Sequence, residues 1–393
     1  MDSPRKTALL EWLAIGSLLV VVAGIPATQA IQELARSGRA HLVELFRHAP
    51  TKANLHGWDR QERDNSIFGA YLRPRVLQLQ YDLFGDVGPK AVAGKDGWLF
   101  YRPDVEYLSA PRFTNERFYL GSFDTTVAGI RRNLRNPLVA IRDVDRQLRE
   151  RGIHLVVVPV PGKPSIYPEM LAGVEVDPSA SPTLALLDSL KASGIEAIDL
   201  VHPLRKAKAS ASSPLYLRRD THWSPAGVQV AASEIARVLL SRPEIAAEAR
   251  PSRYAIKDTT AERWGDICEM TALPRRKEIW KTESVHTLQV RDSAGVPYVD
   301  SDSAAVLWLG DSYSRIYQTD APRSAGVIAQ VARLTGQPLA SVVNDGGAST
   351  VVRQQLLRKA KLLRHAKVVV WEFVERDIRF GEKGWALETI PSP

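Results

Sequence analysis

Cysteine is nearly absent from this 393-residue chain, which contains only Cys268. A single thiol cannot form an intrachain disulfide, and it excludes a zinc site built from several thiolates. Long runs of lysine or arginine, internal repeats and low-complexity segments are also lacking, as is any known nucleic-acid-binding module. No ligand cluster has a spacing typical of a metal site. We therefore expect no nucleic-acid partner, no metal and no other cofactor.

The composition is that of a globular protein. Hydrophobic residues make up 45% and charged residues 24%, which excludes a mostly disordered chain. The length suggests two domains, or one large domain with an addition. Lys and Arg number 52 against 44 Asp and Glu, so the formal net charge is +8. This excess of positive charge is dispersed along the chain. It is typical either of a soluble basic surface or of a protein with a polyanionic partner, such as anionic lipid or acidic polysaccharide.

The N-terminus carries an apolar segment from Trp12 to Ile31, preceded by Arg5 and Lys6. About 20 mostly apolar residues can cross a bilayer as a signal anchor. The alternative is a signal peptide cut after Ala30. We favour the anchor because Thr28, at the −3 position, is a weaker cleavage signal than alanine. The terminal position and the basic flank argue against a buried soluble helix, and both leading interpretations export the rest of the chain.

The remaining chain divides into a helical region and an α/β region. Residues 32–90 read as helical, with a polar loop at 54–64 and a further helix opening at Arg73. After a turn and an aromatic strand at 94–101, apolar strands alternate with helices, which predicts a parallel sheet with right-handed crossovers. Residues 251–300 read as a turn-rich insertion. The predicted strands are 154–160, 195–200, 304–309, 340–343 and 368–373, and the predicted helices are 182–192, 224–240, 321–334 and 349–364.

Two short motifs fall where loops could leave the carboxyl edge of this sheet. Gly310-Asp311-Ser312 follows a predicted strand, so Ser312 is either a nucleophile on a sharp turn or a helix N-cap. In an extended segment, side chains two positions apart point to the same side, so in Asp220-Thr221-His222 the aspartate could orient His222. The alternative is that Asp220 caps a turn and His222 packs on a neighbour. A serine nucleophile needs such a base, so the motifs support each other.

Five segments, taken together, resemble the alginate O-acetyltransferase family (AlgJ/AlgX-like), whose catalytic domain is similar to SGNH hydrolases. The resemblance implies an SGNH hydrolase-like α/β fold with Ser312 as nucleophile, His222 as base and Asp220 as its partner. Ordinary SGNH hydrolases place Asp-x-x-His after the serine, whereas here Asp-x-His precedes it, which suits the acetyltransferase branch. The segments are GKDGWLFY (94–101), PVPGK (159–163) with IYP (166–168), DTHW (220–223), GDSYS (310–314) and WEFVERD (371–377).

Substrate contacts are less clear from the sequence. The turn at 344–347 could supply oxyanion donors or be a simple turn. Lys163 and Arg376 could bind an acidic sugar, or pair with Glu169, Glu372 or Glu375. The candidate substrate-binding residues are Lys163, Tyr313, Asn344, Gly346 and Arg376.

The expected protein is a periplasmic O-acetyltransferase that modifies an exopolysaccharide, alginate or similar, through a serine acyl-enzyme. Its organisation would be an anchor or signal peptide (1–31), a helical region (32–90) and an SGNH hydrolase-like domain (91–393) with the insertion. AlgX-like members carry a C-terminal carbohydrate-binding module; the chain ends soon after Ser312, so we expect that module to be absent and favour the AlgJ-like branch. The resemblance further implies a membrane-bound O-acyltransferase as acetyl donor. A carbohydrate esterase and a non-catalytic polysaccharide-binding protein remain alternatives.

Overall fold

The structure, a computed structural model, describes residues 4–108, 136–171, 181–380 and 384–390. The chain forms two compact units. The first consists of Met1–Asp86 and Ala272–Arg275, and the second of Val87–Thr271 and Arg276–Pro393.

The first unit is helical. Helix α1 continues through a π-helical turn into α2, and the stretch Glu11–Ser37 is long and apolar enough to cross a membrane. By composition this segment suits either an anchor or a signal sequence. Helix α2 ends at Gly38, whose φ of 69° is the left-handed conformation that favours glycine. The helices are α1 (Pro4–Leu19), α2 (Ile25–Ser37), α3 (His41–Arg47), α4 (Lys52–Asn65) and α5 (Ile67–Phe84).

The loop predicted at 54–64 is wrong, because these residues lie within α4. The Thr51 side chain accepts a hydrogen bond from the Asn54 amide and caps this helix, so its polar composition does not prevent it from forming. Helix α5 also begins earlier than expected, capped by Ser66, and keeps Pro74 in its interior.

The second unit is built on a parallel five-stranded sheet in the order β4-β3-β9-β7-β8. The predicted strands are confirmed, except that 195–200 is reduced to two paired residues. Asp199 ends this strand because its carboxylate accepts the Val201 amide and starts the next helix. The strands are β3 (His154–Val160), β4 (Glu196–Ala197), β7 (Val306–Gly310), β8 (Ala340–Val343) and β9 (Val368–Val374).

Helices connect and flank these strands. The helix predicted at 321–334 begins only at Val327, because Arg323 and Ser324 adopt left-handed φ angles of 68° and 53°. The one predicted at 349–364 ends at Arg358 and is followed by a 3-10 turn. The helices are α6 (Arg102–Leu108), α7 (Pro137–Arg149), α8 (Lys163–Ile166), α9 (Pro182–Ala192), α10 (Val201–Lys208), α11 (Pro225–Leu240), α12 (Pro243–Ala246), α13 (Asp266–Met270), α14 (Arg276–Ile279), α15 (Ser312–Arg315), α16 (Val327–Thr335), α17 (Val351–Arg358) and α18 (Asp377–Phe380).

Two antiparallel strand pairs complete this unit. Strand β1 (Ala91–Ala93) pairs with β2 (Leu99–Tyr101), which is the aromatic strand expected after the turn. Strand β5 (Tyr254–Arg263) pairs along its whole length with β6 (Glu283–Asp292), inside the segment that reads as turn-rich. Most β5 side chains are exposed, so the strand lacks the apolar alternation that would have revealed it.

The core lies on both faces of the central sheet. Alternate residues of β3 pack into two separate apolar clusters, Val156 and Val158 into one and Leu155 and Val157 into the other. A strand buried on both faces explains the continuous apolar runs in the sequence. Since all five strands are parallel, the loops that follow β3, β7, β8 and β9 leave the same edge.

Candidate active site

Ser312 opens the short helix α15 directly after β7. The N-cap of this helix is Asp311, whose carboxylate accepts the amides of Tyr313 at 2.8 Å and Val374 at 2.9 Å. The N-cap alternative for Ser312 is therefore wrong, and its hydroxyl is not used to cap the helix. A Cβ on Gly310 would lie 2.2 Å from the Ser314 hydroxyl oxygen, so only glycine fits before this turn.

A buried carboxyl supports the turn from below. Glu372 on β9 accepts hydrogen bonds from the Ser314 hydroxyl and, at 3.1 Å, from the Asp311 amide. The Trp308 indole donates to the Ser314 oxygen at 2.7 Å. Burial and the nearby charge of Asp311 raise the pKa of Glu372 well above its ordinary value, which favours the protonated form of this carboxyl.

His222 is paired with Asp220 within the loop that precedes α11. The His222 Nδ1 lies 2.6 Å from the Asp220 Oδ1, and both side chains are buried. Burial disfavours both charges, but their mutual attraction outweighs it, lowering the pKa of Asp220 and raising that of His222. The other ring nitrogen, Nε2, is buried and has no hydrogen-bond partner among the described residues. It is therefore available to exchange a proton with a reacting group.

Lys163 fixes this loop. Its ammonium group donates to the carbonyls of Leu217 and Arg218, both at 2.9 Å, and of Asp220 at 2.7 Å. The side chain is fully buried, and burial lowers the pKa of Lys163 to about 8. The sequence suggested a substrate contact for Lys163; in the structure it instead positions the backbone of the Asp220–His222 loop.

The insertion contributes two side chains to the same centre. Arg263 at the end of β5 lies 3.4 Å from the second Asp220 oxygen, and Asp266 lies 3.6 Å from the His222 Nδ1. Asp266 also accepts the Thr221 amide and hydroxyl at 2.7 and 2.6 Å. Neither residue was singled out from the sequence, because no predicted strand brought residues 263–266 close to the motif.

The side chains of Asp220, His222 and Asp266 offer ligand atoms within 4.8 Å of one another, a set that could hold a metal ion. However, Asp220 and His222 already bind each other, and both Asp266 oxygens accept hydrogen bonds from Thr221. These hydrogen bonds account for the close approach of the three side chains.

Ser312 and His222 line one surface cleft of about 430 Å³. Arg376 and Gly346, two of the predicted substrate-binding residues, line it as well. The Asn344 side chain instead lies beside Gly347, where a Cβ would clash with its oxygen at 2.1 Å. The cleft-lining residues are Tyr101, Pro103, Glu106, Thr221, His222, Asp266, Met270, Ser312, Arg315, Asp345, Gly346, Arg376 and Asp377.

Tyr313 is fully buried rather than exposed to a ligand. Its hydroxyl donates to the Thr221 carbonyl at 2.6 Å, and its ring centroid lies 4.9 Å from that of His222. Tyr313 therefore joins the nucleophile turn to the histidine loop, which differs from the substrate contact expected from the sequence.

Arg376 pairs with Asp104, not with the glutamates considered from the sequence. Its Nη1 lies 2.9 Å from the Asp104 Oδ1, and its guanidinium lies 5.2 Å from the centre of the Tyr101 ring. Glu375 is buried elsewhere, accepting the Gly162 amide at 2.7 Å and the Thr183 hydroxyl at 2.6 Å. Burial raises the pKa of Glu375 to about 7.

The chain is similar to a protein family and to several known proteins. Residues 91–375 match the family described as the SGNH hydrolase-like domain of acetyltransferase AlgX. A Pseudomonas fluorescens protein named probable alginate O-acetylase AlgJ is 27% identical over 310 residues, covering 76% of this chain and 71% of that protein.

Two solved structures share the fold. The O-acetyltransferase domain of Pseudomonas putida AlgJ aligns with a TM-score of 0.56 and 24% identity, covering 74% of this chain and 92% of that one. Pseudomonas aeruginosa AlgX aligns with a TM-score of 0.51 and 18% identity, covering 72% of this chain and 61% of the other. At these identities the likeness concerns the fold, an SGNH-like parallel sheet flanked by helices.

Proposed function

The chain belongs to the family of SGNH hydrolase-like domains of AlgX-type acetyltransferases, and from this premise we propose that it transfers acetyl groups to a polysaccharide through Ser312. The observation that carries the proposal is the Asp220–His222 pair: His222 lines the same cleft as Ser312, and its Nε2 has no hydrogen-bond partner among the described residues. In this proposal Asp220, His222 and Ser312 act as a catalytic triad.

In the first half-reaction, the Ser312 oxygen attacks the carbonyl carbon of an acetyl donor. His222 takes the serine proton on Nε2 and then delivers it to the departing group, while Asp220 stabilises the imidazolium. The raised pKa of His222 suits a base that must hold this proton briefly. The product is an acetyl ester on Ser312.

In the second half-reaction, a sugar hydroxyl attacks the acetyl-enzyme. His222 takes the proton from this hydroxyl, and as the ester bond to Ser312 breaks it returns a proton to the serine oxygen. The acetyl group ends on the sugar and the enzyme is restored. Water in place of the sugar would give free acetate, so transfer requires that the acceptor occupy the cleft.

In this proposal, two backbone amides stabilise the negative charge that develops on the carbonyl oxygen during the reaction. Ser312 and Gly346 line the cleft, and their N–H groups donate to no acceptor among the residues that the structure describes. We assign these two amides to the oxyanion that forms in each tetrahedral intermediate, where such donors are worth about 10²- to 10³-fold in rate.

The relatives named alginate O-acetylase point to alginate, or a similar exopolysaccharide, as acceptor. The apolar segment Glu11–Ser37 would anchor the chain in the inner membrane and place the second unit in the periplasm. Cytoplasmic acetyl donors are not accessible there, so a membrane-bound O-acyltransferase would hand over the acetyl group.

The test is product analysis. The full chain in detergent is incubated with an activated acetyl ester and mannuronate oligomers, and the sugars are followed by mass spectrometry. We expect acetylated oligomers with wild-type protein and with Ser233→Ala, which removes an exposed helical hydroxyl. Ser312→Ala should abolish transfer.

Other products would assign another function. Free acetate with unmodified oligomers would identify an esterase. Oligomer binding without any Ser312-dependent chemistry would identify a binding protein, and either result contradicts the proposal.

A further inference from the structure

A second cleft, of about 690 Å³, adjoins the candidate active site. It is bounded by the loop 212–219, the first turn of α11 and the beginning of β6, all within the second unit. Its volume is in the range of ligand-binding clefts, and it exceeds that of the cleft around Ser312.

One loop separates the two clefts. Leu217, Arg218 and Arg219 line the second cleft, while Thr221 and His222, a few residues further along the chain, line the first. The Cα atoms of Arg218 and Thr221 can be at most about 11 Å apart, since an extended residue spans no more than ~3.6 Å. A polymer in contact with His222 can therefore reach the second cleft within a few sugar residues.

The loop between the clefts is held firmly on two sides. Lys163 binds three of its carbonyls from one side, as described above. From the other side, the Glu283 carboxylate accepts the amides of Arg218 at 3.1 Å and Arg219 at 3.0 Å. The wall of the second cleft is therefore built before a ligand arrives, which lowers the entropic cost of binding.

The charge of this cleft is positive, and it comes from a single side chain. Arg218 is exposed, and its guanidinium makes no hydrogen bond or ion pair with any residue in the described parts of the chain. The other ionisable lining groups are compensated: Arg219 lies 3.6 Å from Glu283, and His286 lies 3.5 Å from Asp258.

The remaining polar groups suit hydroxyl-rich ligands. Ser213 and Ser284 line the cleft with exposed hydroxyls, and Gln229 adds an amide. The guanidinium of arginine carries five hydrogen-bond donors and suits a carboxylate, while hydroxyl and amide groups suit sugar hydroxyls. Together they fit a polysaccharide whose sugars bear carboxylates.

We propose that the second cleft binds the part of an anionic polysaccharide that flanks the sugar being acetylated, with Arg218 pairing with a uronate carboxylate. The inference deepens the proposed function and rests on it for the identity of the reaction. It concerns recognition of the polymer beyond the reacting sugar, and no step of the acetyl transfer itself passes through Arg218.

The test compares Arg218→Glu with Arg358→Glu in the full chain. Arg358 is also exposed, ends α17 and lines neither cleft. Arg358→Glu therefore makes the same change in charge as Arg218→Glu, but outside both clefts. Transfer is measured against mannuronate oligomers of increasing length. For long oligomers we expect Arg218→Glu to raise KM about fivefold with kcat unchanged, as befits one exposed ion pair. For the shortest oligomers, and for Arg358→Glu, KM should stay at the wild-type value.

Equilibrium binding separates this inference from the reaction. Long unmodified oligomers are titrated into Ser312→Ala and into the double variant Ser312→Ala with Arg218→Glu, at low and high salt. Weaker binding by the double variant, with a difference in affinity between the two proteins that becomes smaller at high salt, supports polysaccharide binding in the second cleft even if no transfer is ever observed. Equal binding by the two proteins, or a rise in KM that is the same at every oligomer length, overturns it. Should Arg218→Glu fail to fold, Arg218→Gln gives the same comparison with a smaller expected loss.

Discussion

Two buried carboxyls support the two halves of the candidate site, and their pKa values are shifted in opposite directions. Asp220, beside His222, faces two cationic groups, the imidazole and the Arg263 guanidinium. Glu372, under the nucleophile turn, meets only amide and hydroxyl donors among its hydrogen-bond partners in the described residues. The surroundings of Asp220 therefore favour its charged form, and those of Glu372 favour its protonated form.

The difference shows that the surroundings, and not the residue type, set the role of a carboxyl. Charge from His222 and Arg263 outweighs burial and lowers the pKa of Asp220, whereas burial beside Asp311 raises the pKa of Glu372. A neutral amide should therefore be poorly tolerated in place of Asp220 and well tolerated in place of Glu372. The following predictions test this contrast.

The largest expected effect is that of Asp220→Asn. The amide is nearly isosteric but carries no charge, so it cannot stabilise the imidazolium or select the tautomer of His222. We expect kcat for acetyl transfer to fall on the order of 10⁴-fold. Steady-state kinetics together with thermal unfolding check this, and a fall in kcat of less than tenfold in a folded variant would show that the charge of Asp220 is not needed.

Under the nucleophile turn, Glu372→Gln and Glu372→Ala should differ sharply. Glutamine keeps an oxygen for the Ser314 hydroxyl and the Asp311 amide, so we expect a loss of stability below about 1 kcal/mol. Alanine leaves those donors buried without a partner and opens a cavity, which should cost about 2–4 kcal/mol. Urea unfolding measures both, and equal losses for the two variants would contradict a hydrogen-bonding role for Glu372.

Glu375 offers a test of the same idea away from the cleft. Its pKa is about 7 in the folded chain, above the ordinary 4.5, so its contribution to stability is present below pH 4.5 and lost as the pH rises through 7. The stability of wild type relative to Glu375→Gln should therefore fall by on the order of 3 kcal/mol across this window. Urea unfolding at several pH values measures it, and a difference that does not change with pH would place the titration elsewhere.

The smallest effect is expected for Asp266→Asn. Asp266 lies 3.6 Å from His222 and contributes, after Asp220, to the raised pKa of the imidazole. Activity should rise with pH as His222 loses its proton, with a midpoint above 6.5 in the wild type. In Asp266→Asn we expect the midpoint of the kcat/KM profile to move to lower pH, because one of the charges that raises the pKa of His222 is removed. An unchanged or higher midpoint would exclude an electrostatic role for Asp266.

The sequence predicted most of the sheet because its strands are continuous apolar runs buried on both faces. It also picked out Asp220, His222 and Ser312, since these lie in short motifs with recognisable spacing. The supporting residues were missed for a physical reason: their roles depend on burial and on partners distant in the chain. Glu372 reads like any acidic residue at the end of a strand, and Lys163 reads like a cation free to bind a ligand.

Arg263 and Asp266 were missed for a different reason. Arg263 ends strand β5 and Asp266 follows it at the start of α13; because the exposed side chains of β5 give no alternating apolar pattern, nothing in the sequence placed either residue near the histidine. In the structure, β5 pairs with β6, and Arg263 at its end and Asp266 after it lie beside Asp220 and His222.

The central claim, that His222 activates Ser312, is tested most directly by locating the acetyl group on the protein. Wild type and His222→Ala are treated briefly with an activated acetyl ester, quenched in acid and digested, and the peptide that contains Ser312 is analysed by mass spectrometry. We expect an acetyl group on Ser312 in the wild type and almost none in His222→Ala. Equal labelling of the two proteins, or acetyl found only on another residue, would contradict it.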